Sequence, residues 1–95
     1  MKSNSMGIRV EFFGVARQRA GTATAVVPVE GAVTLRLLLA RLAVEFPHWA
    51  SECLDGDRLR PGYIVNLNGD RFIRNLEQPL EDEASLLIMS ADAGG

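Results

Sequence analysis

Cysteine is nearly absent: Cys53 alone gives the 95-residue chain no internal disulfide, which fits a reducing compartment. One histidine and one cysteine also fall short of the four ligands a closed structural zinc site takes. Positive charge is not in excess, since ten Lys and Arg stand against twelve Asp and Glu for a formal charge of -2. Phosphate affinity rests on clustered cations. Arg17, Arg19, Arg58 and Arg60 lack interleaved aromatics, so nucleic acid is not an expected partner. No Gly-x-Gly-x-x-Gly or phosphate-loop pattern occurs. The apolar runs near 37–40 and 84–89 are far shorter than the ~20 residues of a membrane helix. The polar opening at 1–7 lacks the apolar stretch of a signal peptide. The expected setting is cytoplasmic, away from a membrane.

Hydrophobic residues make up 47% of the chain and charged residues 23%, a balance that suits one globular domain with one modest core. Residues 8–13 place Ile8, Val10 and Phe12 in alternation with Arg9 and Glu11, the period of a half-buried strand. Residues 22–29 are rich in β-branched side chains, and Pro28 confines that strand to a sheet edge. Residues 14–21, with a glycine at each end, read as the loop of a hairpin. From Thr34 to Phe46, Leu35, Leu38, Leu39, Leu42 and Phe46 form one apolar stripe. Thr34 is a candidate N-cap, and Pro47 is expected to stop the helix. Between 48 and 61 only a helical turn at 49–54 and a turn at 55–57 are expected. Residues 63–67 alternate as a strand, Asn68-Gly69 signals a tight hairpin, and 70–73 form the return. After the acidic turn Glu81-Asp82-Glu83, residues 85–89 read as a fully buried strand.

The order is strand, strand, helix, strand, strand, strand. With the first and last strands parallel at the centre, this is an α+β fold of the β-grasp (ubiquitin-like) type. It has a mixed sheet of about five strands with one main helix across one face. A ferredoxin-like fold would require a second full helix. Residues 1–7 are expected as a flexible N-terminal tail, 8–89 as the domain, and 90–95 as a flexible C-terminal tail.

Chemistry is sparse. His48 and Cys53 would form a nucleophilic pair only if the uncertain 48–61 segment brought them together; packing and solvation explain both more simply. A solvated turn accounts for Glu81, Asp82 and Glu83 better than a cation site does, and no metal is expected. What remains is Gly94-Gly95. A diglycine tail has no side-chain bulk and threads a narrow channel in extended or left-handed conformations. Six extended residues from Ser90 reach roughly 20 Å.

These features resemble the MoaD/ThiS-like sulfur-carrier family, represented by the small subunit of molybdopterin synthase and the thiamine-pathway carrier. The matching stretches begin with Ile8-Arg9-Val10-Glu11-Phe12-Phe13, Ala16-Arg17 and Ala20-Gly21. They continue through Thr34-Leu35 with Leu38-Leu39, then Tyr63-Ile64-Val65-Asn66 with Asn68-Gly69. Pro79-Leu80, Asp82, Leu86-Leu87-Ile88 and Gly94-Gly95 complete the set. Two departures stand out: Glu81-Asp82-Glu83-Ala84 lacks the glycine frequent in the family's acidic turn, and no proline precedes the diglycine.

The resemblance implies a carrier rather than an enzyme. A partner resembling the ubiquitin-activating enzymes would adenylate the Gly95 carboxylate with ATP and magnesium. Sulfur would then replace AMP to leave a thiocarboxylate, to be passed to an acceptor held by a large synthase subunit or another enzyme. Molybdopterin biosynthesis is the leading expectation, with a thiamine or other carrier pathway as an alternative. A different alternative is a modifier joined through Gly95 to lysines. The carrier itself would bind no cofactor. An apolar docking patch is expected on the sheet face opposite the helix, near the tail root, with Phe13, Phe72 and Ile73 as candidates. Glu81, Glu83 and Asp92 would steer a basic partner.

Overall fold

The computed structural model describes residues 7–91. Twelve elements follow one another: β1 (Gly7–Phe12), α1 (Val15–Ala20), β2 (Thr24–Pro28), β3 (Val33–Thr34), α2 (Leu35–Glu45), α3 (Pro47–Cys53), β4 (Leu54–Asp55), β5 (Arg58–Leu59), β6 (Tyr63–Leu67), β7 (Arg71–Ile73), β8 (Pro79–Leu80) and β9 (Ser85–Ser90). Five strands form a mixed sheet in the order β2-β1-β9-β6-β7. The first and last strands lie side by side and parallel, with Val10 opposite Leu86 and Phe12 opposite Ile88. β9 pairs antiparallel with β6 on its other side. This is the expected β-grasp arrangement. Gly7 and Ser90, expected in the tails, are strand residues.

Alternation decides which face is covered. Ile8, Val10, Phe12, Val65, Leu67, Leu86 and Ile88 point to one side and are buried with Leu35, Leu38, Leu39 and Leu42 of α2. The leucine stripe therefore packs as its spacing predicts. The Thr34 hydroxyl accepts a hydrogen bond from the Leu37 amide at 3.3 Å, capping α2.

Two expectations, the open loop at 14–21 and the sparse segment at 48–61, fail for physical reasons. Residues 14–21 are a short helix rather than an open loop. Gly14, at φ 66° and ψ -131°, supplies a conformation closed to L side chains. Gly21, at φ 81°, closes the helix in the left-handed region, its amide donating to Arg17 O. Pro47 stops α2 as expected, with Phe46 before it out of the helical region at φ -127° and ψ 72°. It also occupies the first position of a further helix, α3, where its missing N–H costs nothing. α3 then buries Trp49 and Cys53 completely. Phe12 meets Phe46 edge-on at 5.4 Å and Trp49 at 5.8 Å, joining the sheet to this second helix. Residues 54–59 form a small hairpin, Leu54 opposite Leu59. α1 and α3 are each a turn or two long, so the extra helices do not convert the sheet into a ferredoxin-like one.

Among the described residues, no helix is long and apolar enough to cross a membrane.

Leu42 and Thr34 calibrate this account. Leu42→Ala should cost about 2–5 kcal/mol through a cavity in the core. Thr34→Ala should cost only about 1 kcal/mol through loss of the cap. Urea unfolding of both variants measures the difference.

Candidate functional site

The chain leaves the sheet from its central strand. Ser90 lies opposite Tyr63, and the Ala91 amide donates to Gly62 O at 2.7 Å. The backbone is thus held to β6 through Ala91. Gly94, Gly95 and Asp92 lie outside the described residues.

Among the described residues no helix covers the face of the sheet turned away from α2, and its exposed and half-buried side chains follow from strand register. Met89 lies opposite Ile64 in β6, and the Phe13 amide donates to Ile88 O, which sets Phe13 beside Met89. One row of residues along, Leu87 lies between Glu11 and Asn66, and Asn66 lies opposite Phe72. Phe13 is 48% exposed and Phe72 58%; Ile64, Leu87 and Met89 are half-buried. This apolar surface reaches the last residues of β9, where the chain exits. Within it the Asn66 Oδ1 atom is buried with no hydrogen-bond partner among the described residues.

Ile73 does not belong to this surface. It lies opposite Val65 on the helix side and is buried in the core. β9 is also not buried on both faces as expected: Leu86 and Ile88 are enclosed, while Leu87 and Met89 are only half covered. Reading Ser85-Leu86-Leu87-Ile88-Met89 as apolar on both sides, in a protein with one main helix, would have indicated an uncovered apolar face. The same pattern signals Ile64, Leu87 and Met89, which join Phe13 and Phe72 on this surface although the sequence expectation does not include them.

On the helix side of the exit, a polar clasp links three elements. The Tyr63 hydroxyl donates to Glu52 Oε2 at 3.0 Å, and Arg19 Nη2 bonds Glu52 Oε1 at 3.1 Å. The hydrogen bond from Tyr63, then that from Arg19, holds the Glu52 carboxyl below the usual carboxylate range. Burial, then the neighbouring carboxylate, pushes the Tyr63 hydroxyl up to about 12. Cys53 is fully enclosed and its thiol is pushed up to about 11, chiefly by burial. His48 is exposed. An enclosed, protonated thiol and a solvated imidazole do not make a nucleophilic pair.

No group of three or more metal-ligating side chains occurs among the described residues. Glu81, Asp82 and Glu83 are exposed in the turn before β9. Glu83 adopts φ 69°, a position that favours glycine, and its amide donates to Gly7 O.

No protein-family model and no curated protein matches the sequence. Solved structures do match. The crystal structure of SAMP1 from Haloferax volcanii superposes with a TM-score of 0.78 at 23% identity, covering 94% of this chain and 99% of that one. "Putative molybdopterin converting factor, subunit 1" from Pyrococcus furiosus gives 0.73 at 18%, covering 90% and 98%. Urm1 from Trypanosoma brucei gives 0.59 at 22%, covering 99% and 100%. The chain therefore has the β-grasp, ubiquitin-like fold that these small proteins share.

Two outcomes test the clasp. Glu52 is depressed in the folded protein, so its contribution to stability is present above the ordinary carboxylate pKa and is lost as pH falls through the folded value. The stability gap between the wild type and Glu52→Gln should therefore close on acidification in urea titrations. Cys53 should resist a thiol-specific reagent at mildly alkaline pH and react only as the protein unfolds.

Proposed function

We propose that the chain is a ubiquitin-like sulfur carrier whose reactive group is the Gly95 carboxylate. The observation that carries this reading is the exit of the chain from the central strand beside an uncovered apolar face. From Ala91 only a few small or acidic residues separate that face from Gly94-Gly95. A partner that recognises the face therefore has the diglycine within reach.

Carboxylates are poor electrophiles, so the carboxylate must first be activated. A Gly95 oxygen attacks the α-phosphorus of magnesium-bound ATP on a ubiquitin-activating-like adenylyltransferase, and pyrophosphate leaves. The terminal sulfur of a persulfide attacks the resulting acyl-adenylate and AMP leaves. A thiol then cleaves the S–S bond, is itself oxidised to a disulfide, and releases the thiocarboxylate. The absence of side chains on Gly94 and Gly95 lets the end enter a narrow active site. The folded body contributes recognition, with no catalytic group of its own. A large synthase subunit or other acceptor enzyme would take the sulfur, and the Pyrococcus furiosus neighbour's name favours molybdopterin synthesis as the pathway. The single enclosed cysteine suits the reducing cytoplasm.

A second reading is favoured by the SAMP1 neighbours, which are called small archaeal modifier proteins. In it the same adenylated Gly95 is joined to lysines of target proteins.

Incubation with the activating enzyme, ATP, magnesium and a persulfide source, followed by intact-mass measurement, separates these readings. A carrier exchanges one oxygen for sulfur at Gly95, and removal of Gly95 abolishes the change. An unmodified chain in the presence of an enzyme competent on another carrier overturns the proposal. Diglycine branches on target lysines without any thiocarboxylate establish the modifier. The Phe13→Ser/Phe72→Ser double variant should raise the KM of activation about tenfold while leaving the urea midpoint nearly unchanged.

A further inference from the structure

A second recognition surface lies on the helix side, away from the apolar sheet face. It is a cleft of about 330 Å³ between α2, the β4–β5 hairpin and the segment that follows β7. The buried Leu35, Leu39 and Ile73 lie beneath it, and the partly buried Leu59 and Leu76 present apolar surface along its sides. Its walls are fixed by hydrogen bonds. The Leu35 and Arg36 amides donate to Gln78 O and Leu76 O at 3.0 and 2.9 Å. The Arg36 guanidinium bonds Glu77 at 2.7 Å and also bonds Asp57 in the β4–β5 turn. Arg36 therefore spans the cleft's three walls and holds their spacing.

The charge at the rim is unbalanced. Arg36 is satisfied by its two carboxylates. Arg58 on the hairpin and Arg74 after β7 are exposed, line the same cleft, and have no side-chain hydrogen bond or ion pair among the described residues. Two unpaired guanidinium groups on different walls thus flank this apolar surface, in a chain whose formal charge is -2. A guanidinium presents a planar fork matched to a carboxylate. The partly buried Leu59 and Leu76 supply the accessible apolar surface of the cleft, a seat for one aliphatic side chain.

We infer that this cleft binds an acidic peptide segment of a partner protein, an aliphatic side chain seated between the partly exposed Leu59 and Leu76 and flanking carboxylates paired with Arg58 and Arg74. The cleft and the open face lie on opposite sides of the sheet, so one partner can occupy the cleft while another engages the open face. Tyr63 lines the cleft and lies opposite Ser90, so the occupant would sit beside the point where the chain leaves the sheet. The inference does not rest on the chemistry at Gly95, and its test reads binding alone.

The test is a titration of the isotopically labelled full chain with a synthetic peptide of two leucines flanked on each side by aspartates, followed by amide NMR. Shifts should centre on residues 58–59 and 73–77. Replacing the leucines by serine, or the aspartates by lysine, should abolish them. The Arg58→Gln/Arg74→Gln double variant should keep its urea midpoint and bind about tenfold more weakly, the scale of two exposed ion pairs. Undiminished binding by the double variant overturns the inference, as does an equal response to the lysine peptide or no shift in the cleft. Shifts confined to Ile64, Phe72 and Leu87 also overturn it, because the peptide then sits on the open face. So does a change at Arg58 and Arg74 on deleting residues 92–95 without peptide, which assigns the cleft to the chain's own tail.

Discussion

The parallel pairing of β1 with β9 is the constraint on which the rest of the molecule depends. Parallel neighbours cannot be joined by a tight turn, so the chain between them must cross over. Here that crossover is nearly the whole protein, and it lays α2 and α3 on one side of the sheet. Register is fixed from both strands at once. A slip of one residue would turn Val10 and Phe12, or Leu86 and Ile88, out of the core. The Asn68 side chain adds a local pin, its Oδ1 accepting the Ser85 amide at 2.8 Å at the start of β9.

From that pairing follows a division of labour between the two faces. The helix side closes over a core that holds no buried charged residue among those described and carries the fixed cleft at one edge. The other side keeps Phe13, Ile64, Phe72, Leu87 and Met89 at least partly uncovered around the end of the central strand. Apolar side chains grouped beside a chain exit favour association with another protein surface. The cleft differs in kind, because it combines apolar sides at Leu59 and Leu76 with Arg58 and Arg74, which have no ion-pair partner among the described residues. The Tyr63–Glu52–Arg19 clasp ties α1, α3 and β6 together beneath the exit, so the departing segment starts from a braced position.

Much of this was legible because period and punctuation agree. The alternation of 8–12 and 63–67, the leucine stripe, the Thr34 cap and the left-handed turn at Asn68-Gly69 all lie where the sequence puts them. Six residues between glycines are too short for a helical period to declare itself, which hid α1. Pro47 marks both the end of α2 and the start of α3, and only the burial of Trp49 and Cys53 reveals the second role. The two-residue strands β3, β4, β5 and β8 exist through their tertiary partners. Ile73 turned on a single residue. The loop after Leu67 holds three residues, with Leu67 opposite Arg71, so Phe72 faces outward beside Asn66 and Ile73 inward beside Val65. A two-residue loop at Asn68-Gly69 would have reversed both.

The central claim, that pairing with β1 on one side and β6 on the other holds β9 up to the point of exit, is tested most directly by native-state hydrogen exchange across the five-strand sheet. The amides of β9, and that of Ala91, should exchange only with global unfolding and more slowly than those of the edge strand β7. Exchange of β9 ahead of β7, or insensitive to the stability of the whole domain, would contradict the account.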